Sequence, residues 1–485
     1  MLLACSASNI PKHALAPGVP ALPWEAQPSV VAEVDSPSIA LVGGTLMTGV
    51  GSEIADGVVV IGHGRILAVG PRAGAVIPDG AQVIDVRGRY VTPGLIDAHS
   101  HMGVYPVPEV LAHADGNEAT RPVTADVRAL DAFWPQDPAL SRAVAAGITT
   151  ILVLPGSANL IGGQGFSVKL QPGRSALDMK FPGAPATLKM ACGENPKRVY
   201  GERKTFPSTR MGNVAGYRQA FQSALEYGAK FADWQVKYQA WQHKSERGGA
   251  ADREPAPSMP DRDFGLETLL LALHGRVLVQ IHCYRADEML GMLALAQEFG
   301  LKVRAFHHAV EAYKIRDVLA SRGVAVATWA DWWGFKLEAY DTVRENLALL
   351  TESGVRGVLH SDSAALVQRL NQEASKSLSA GLRAGINLDR SVAMAWITSN
   401  PAWVLGIDSQ TGSLEAGKMA DVVVWSGDPL SVYSQVDSVY IDGVTQYERK
   451  AGERRPSDFE LGRDRPVAMP RAPASDPASS EQAAP

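Results

Sequence analysis

Cysteine is scarce: Cys5, Cys192 and Cys283 are the three in 485 residues. They are too few and too scattered for a disulfide framework or a cysteine zinc site. Long apolar runs are also missing. No stretch approaches the roughly 18 residues a membrane span needs, so no span is expected. There is no excess of positive charge either, and a net charge of −5 gives no reason to expect nucleic acid as a partner. What remains is ordinary globular composition, 46% hydrophobic and 20% charged. The length suffices for one large α/β unit of about 250 residues plus additions.

The two ends have little to bury. Met1 to Cys5 has the form of the end of a bacterial lipoprotein signal, but lacks the charged region and full apolar stretch before it. Two locations follow: cytoplasmic if Met1 is the true start, periplasmic or lipid-anchored if Cys5 ends a signal. Residues 1–37, rich in Ala, Pro and Ser, read as a flexible leader. Residues 451–485 read as a disordered tail. Residues 38–92 hold β-branched strands punctuated by Gly, with His63-Gly64-Arg65 as a hairpin turn. A similar pattern returns within 405–450, and the two predict one composite β-sandwich with residues 93–404 inserted between them.

Within 93–404 eight strands are expected: 95–99, 149–154, 166–171, 186–192, 277–283, 303–308, 324–329 and 357–362. Amphipathic helical stretches separate most of them, which argues for a parallel sheet. An insertion at 213–263 carries a helical pattern from Tyr217 to His243, with Trp234, Tyr238 and Trp241 at helical spacing. It suits a lid over the sheet's mouth or an oligomer contact.

The chain is organised around Val91–Gly103, VTPGLIDAHSHMG. An apolar run opened by Pro93-Gly94 forms a short buried strand with His99 and His101 at its end. Residues two apart on a strand face the same way, so both imidazoles project together and can clasp one metal ion. PGLIDAHSH resembles the signature of the amidohydrolase superfamily, in its imidazolonepropionase-like branch. The resemblance implies an α/β, TIM-like (β/α)8 barrel with the small composite β-sandwich domain, and a metal-dependent hydrolase. The run AGKMADVVVW at 416–425 is similar to that family's carboxyl-terminal strand.

The chemistry collects at strand ends. His282, His307, His308 and Asp362 close later strands. His99, His101, His282, one of the His307/His308 pair and Asp362 form the ligand set of a hydrolase holding one or two divalent ions, zinc or another metal. The resemblance implies that the fifth- and sixth-strand histidines bind metal and that Asp362 both binds it and moves protons. HAVEAY resembles the histidine-Ala/Gly-x-Glu run of relatives, which favours His308 over His307; His307 would then face the other side of its strand. The fourth-strand ligand has two candidates. Lys189 is expensive to bury unless neutralised or paired; a lysine at this place is carbamylated in many relatives. Glu194 suits relatives that use a glutamate just past the strand. Both stay open.

Arg198, Tyr200, Arg203 and Arg210 make a basic cluster in which a guanidinium could receive a substrate carboxylate; a solvated loop explains it equally well. Pro155–Gly165 suits a mouth loop or a tight connection, and Trp332 and Trp333 suit a pocket wall. The expected activity is hydrolysis of a C–N bond in an amide, cyclic amide or small peptide-like molecule, with a small-molecule substrate as partner. The chain would act alone or as a homo-oligomer. Ring deamination is the alternative chemistry; a scaffold that has lost its metals is the non-enzymatic one.

Overall fold

The computed structural model describes residues 36–247 and 255–449. The leader (apart from Ser36 and Pro37), the lipoprotein-like Cys5 and the tail lie outside the described residues. Sixteen strands are present among the described residues. The first five are β1 (Ile39–Leu46), β2 (Ile54–Gly62), β3 (Arg65–Pro71), β4 (Gln82–Asp85) and β5 (Tyr90–Pro93). Eight follow: β6 (Leu95–Ser100), β7 (Ile148–Val153), β8 (Ile161–Lys169), β9 (Thr187–Ala191), β10 (Leu278–Cys283), β11 (Val303–His308), β12 (Ala325–Thr328) and β13 (Gly357–Leu359). The last three are β14 (Val422–Trp425), β15 (Val436–Ile441) and β16 (Val444–Glu448).

Strands from both ends of the chain join in one sheet, in the order β16-β15-β14-β5-β1-β2-β3, with β4 paired to β1. Ile39, Leu41, Val59, Ile61, Val422 and Val424 share one apolar cluster, so the two chain ends bury the same core.

Strands β6 to β13 form the second sheet in sequential order, a TIM-like barrel. The seam between β13 and β6 is closed by buried Asp97, which accepts from Ser361 N at 3.0 Å and from the Ser361 hydroxyl at 2.5 Å. Asp362 N also donates to His99 O across the seam at 3.1 Å.

The expectation of an all-parallel sheet is corrected at β8. It runs antiparallel to both β7 and β9 and begins at Ile161, not Phe166. The connection Leu154–Leu160 is too short for a parallel crossover, which needs a dozen residues or more, so the chain turns straight back. Glycine permits this. A Cβ on Gly163 would sit 2.6 Å from Val127 O, and one on Gly165 would sit 2.6 Å from Val153 O. The second half of the Pro155–Gly165 run is therefore strand rather than mouth loop, since Ile161, Gly163, Gln164 and Gly165 pair with β9.

The helix Arg210–Arg247 starts where the Thr209 hydroxyl accepts from Gly212 N at 3.0 Å. Tyr217, Phe221, Phe231 and Trp234 pack with Leu188, Met190, Val279 and Ile281 of β9 and β10. Each such side chain contributes roughly 1.5–3 kcal/mol by burial. This part of the insertion is thus barrel wall rather than lid. Cys192 and Cys283, though 91 residues apart, form a disulfide with Cα atoms 5.2 Å apart, because β9 and β10 are neighbours. Scatter along the sequence therefore did not prevent one bond. No helix among the described residues is long and apolar enough to cross a membrane.

Candidate active site

The ends of β6, β9, β10, β11 and β13 converge on one cluster. His101 Nε2 lies 3.3 Å from Asp362 Oδ1, and His99 Nε2 lies 3.7 Å from the same oxygen. His308 Nδ1 is 4.0 Å from Asp362 Oδ2. The His282 and His308 rings are 4.5 Å apart, and His308 lies 4.7 Å from His99. Lys189 Nζ reaches to 3.3 Å from His99 Nε2. His101 Nδ1 faces the Leu154 carbonyl at 2.7 Å. A carbonyl only accepts, so His101 donates from Nδ1 and leaves Nε2 bare toward Asp362.

The sixth-strand pair departs from strict alternation. His308 has φ 70°, Ala309 φ 36° and Asp362 φ 54°, left-handed conformations that non-glycine residues rarely adopt. Strain of this kind persists where the surroundings over-determine it, commonly at functional sites. The turn at His308 brings its ring to the same side as His307, so the expectation that His307 faces away is corrected. His307 Nδ1 stands 2.9 Å from His99 Nδ1, and its Nε2 stands 2.7 Å from Gln280 Oε1.

Sequence reasoning missed His360. Its ring lies 5.2 Å from His99 and 5.0 Å from His308, and neither of its nitrogens has a hydrogen-bond partner. Its signal was its place in GVLHSD, directly after the strand Gly357–Leu359 and two residues before Asp362. Among the described residues, two overlapping groups could hold a metal ion: His99, His101 and Asp362, and His99, His308 and His360.

Burial sets the protonation of the cluster. It lowers His99, His282, His307 and His308 well below the usual imidazole value, and His101 and His360 to about 3. Neutral imidazoles are the form that binds metal. Burial also lowers Lys189 to about 7 and raises Asp362 to about 7, and their mutual attraction opposes both shifts.

The wall is aromatic. Trp329 stacks on His308 at 4.5 Å and on Trp332 at 5.0 Å, and Tyr284 stacks on His308 at 5.2 Å. Trp333 points outward and is exposed. Lys336 lies over the Tyr284 ring at 3.8 Å and pairs with Glu194 at 3.3 Å and with Glu338 at 3.2 Å. Glu194 is thus paired with Lys336, whereas Lys189 points among the imidazoles. The basic cluster is dispersed among its own partners. Tyr200 is buried and donates to Arg121 O, Arg198 pairs with Glu202 at the surface, and Arg210 pairs with Glu288 and Glu338, each at 2.5 Å.

The structure overlays an amidohydrolase from Thermotoga maritima MSB8 with a TM-score of 0.74, at 34% identity, covering 85% of this chain and all of that one. The chain belongs to the amidohydrolase family. The Amidohydrolase family model matches this amidohydrolase over residues 277–446. The amidohydrolase tasK of Hapsidospora irregularis is 35% identical over 386 residues, 77% of this chain but 38% of that protein. This chain therefore spans well under half the length of that relative. A 5-methylthioadenosine/S-adenosylhomocysteine deaminase from Symbiobacterium thermophilum is 26% identical, over 80% of this chain and 84% of its own length. An imidazolonepropionase from Rhizobium meliloti is 25% identical, over 77% and 86%.

Proposed function

We propose that this amidohydrolase is a metal-dependent enzyme that hydrolyses a C–N bond in an amide, a cyclic amide or a small peptide-like molecule. The observation that carries this reading is the convergence of strand-end imidazoles on one carboxylate, with His101 Nε2 3.3 Å from Asp362 Oδ1. His99, His101 and Asp362 would hold one divalent ion; Lys189, His282 and His308 would hold a second. Neutral imidazole nitrogen with carboxylate oxygen suits zinc or a similar ion. The buried Nδ1 of His308, without a hydrogen-bond partner, fits the same donor set.

A bound ion supplies Lewis acidity toward the scissile carbonyl and a lower pKa for water. The chain's own residues do the rest. Asp362, raised to about 7, can take a proton from the attacking water and return it to the leaving nitrogen near neutral pH. Lys189, lowered to about 7, offers a partly unprotonated amine. Its nitrogen can add to carbon dioxide, forming an N–C bond and releasing one proton, to leave a carbamate anion. The 3.3 Å approach of Lys189 to His99 supports it as the fourth-strand ligand, and the pairing of Glu194 with Lys336 speaks against the alternative. Tyr284, Trp329 and Trp332 would exclude water around the reacting bond. The barrel, residues 93–404, would be the catalytic unit, and the composite sheet its support.

The imidazolonepropionase relatives favour a cyclic amide; the deaminase relative keeps ring deamination as a second reading. Elemental analysis should find at least one zinc-like ion per chain, and less than about half an equivalent with no gain on added metal would overturn the proposal. Asp362→Asn should keep the fold and lose roughly 10²–10⁴-fold in turnover on whichever N-acyl amino acid, dipeptide or cyclic amide is hydrolysed. Ammonia release from aminated rings instead would move the assignment to deamination.

A further inference from the structure

Beneath the metal-ligand cluster runs a chain of hydrogen bonds whose direction is fixed from its lower end. At the bottom, the Val404 carbonyl belongs to the last turn of the helix Ser399–Leu405, where carbonyls lack helical partners. It can only accept, so the Gln280 amide turns its Nε2 toward it at 3.2 Å. Gln280 Oε1 then faces His307 Nε2 at 2.7 Å, and that nitrogen must carry the hydrogen. In a neutral imidazole the other nitrogen is bare, so His307 Nδ1 accepts from His99 Nδ1 at 2.9 Å. His99 Nε2 is thereby left as a lone pair. At the top, Lys189 Nζ lies 3.3 Å from that same Nε2, and an N–H donated from the lysine agrees with this tautomer. Gln280, His307 and His99 are all fully buried, so no solvent can substitute for a missing bond. The reverse tautomer of His99 would set two bare nitrogens face to face at its link to His307.

We propose that Gln280 and His307 are positioning residues, holding His99 as the Nδ1–H tautomer and presenting its Nε2 lone pair to the divalent ion. The inference rests on the metal-dependent function proposed above and assigns that site an outer layer. Partners of this kind change metal affinity by about 10–100-fold when removed.

The test uses full-length, metal-free protein labelled with ¹⁵N-histidine. Nitrogen shifts should show His99 protonated at Nδ1 and His307 at Nε2. Gln280→Met, which removes the acceptor, should mix the tautomers and weaken zinc binding about 10–100-fold in chelator competition. Gln280→Glu should restore both readouts, because a carboxyl kept protonated by burial accepts from His307 and donates to Val404. Wild-type His99 protonated at Nε2 overturns the relay, as does Gln280→Met with unchanged tautomers and affinity. Wild-type protein that shows the assigned tautomers but binds no zinc counts against the proposed function and leaves the relay standing.

Discussion

Two lysines on neighbouring strands are buried, and the chain treats them in opposite ways. Lys169, at the end of β8, lies 3.1 Å from Asp421, contacts Asp442 and sits over the Phe181 ring at 5.2 Å. Asp421 is itself satisfied, accepting from the Thr411 hydroxyl at 2.8 Å and from Asp442 N at 3.1 Å. Lys189, on β9, meets an imidazole nitrogen, and Asp362 is the one charge that favours its ammonium. A buried charge with full partners fixes geometry, here between barrel and composite sheet. A buried amine without them is pushed toward its neutral, reactive form. The first belongs to stability; under the proposed function the second belongs to chemistry.

Acid should expose that division most strongly. The six clustered histidines have folded pKa values below the unfolded 6.5, two of them at about 3. Above pH 6.5 they are neutral in both states and contribute nothing. Below it the unfolded chain takes up protons that the folded cluster refuses, so stability falls as the pH drops. Each histidine removes about 1.4 kcal/mol per pH unit over that window. Metal-free protein should therefore unfold in acid well before pH 3, and His360→Gln should flatten the slope by about one proton. A melting temperature that stays level from pH 7 to 4.5 would show that the cluster admits protons freely.

Next in size is the clamp. Lys169→Met leaves Asp421 and Asp442 buried without their cation, which should cost about 3–5 kcal/mol in urea unfolding. Metal content should not change. A loss below about 1 kcal/mol would mean that the two aspartates relax or take protons, and the contrast between the lysines would disappear.

The sequence made much of the barrel legible, because buried strands and strand-end polar residues leave local patterns. His99, His101, His282 and Asp362 could be picked out that way, and His308 is set above His307 only by the resemblance of HAVEAY to relatives. What stayed hidden depends on non-local geometry. The reversal at β8 follows from a short connection and from glycines that admit a neighbouring backbone, neither of which marks strand direction. The face of His307 was misjudged because alternation fails at the positive φ of His308. The Cys192–Cys283 bond required knowing that β9 and β10 are adjacent. The pairing of Arg210 with Glu288 joins residues 78 apart, and no local pattern reports it.

The smallest expected stability effect separates Lys189 from Glu194. Lys189→Met replaces a desolvated amine with a straight apolar chain of similar length. Stability should hold within about 1.5 kcal/mol or rise, because exchanging a poorly paired buried charge for an apolar group is often neutral or favourable. Metal content should nevertheless fall by the ion that depends on the carbamate, and short carboxylic acids filling the space should restore part of the activity. Glu194→Gln removes one of two carboxylates from the partly exposed Lys336 and should cost less than about 1 kcal/mol, with metal content unchanged. If Glu194→Gln empties the site while Lys189→Met leaves it loaded, the ligand is Glu194. The uncompensated lysine would then be a desolvated group whose removal stabilises the barrel without touching its metal.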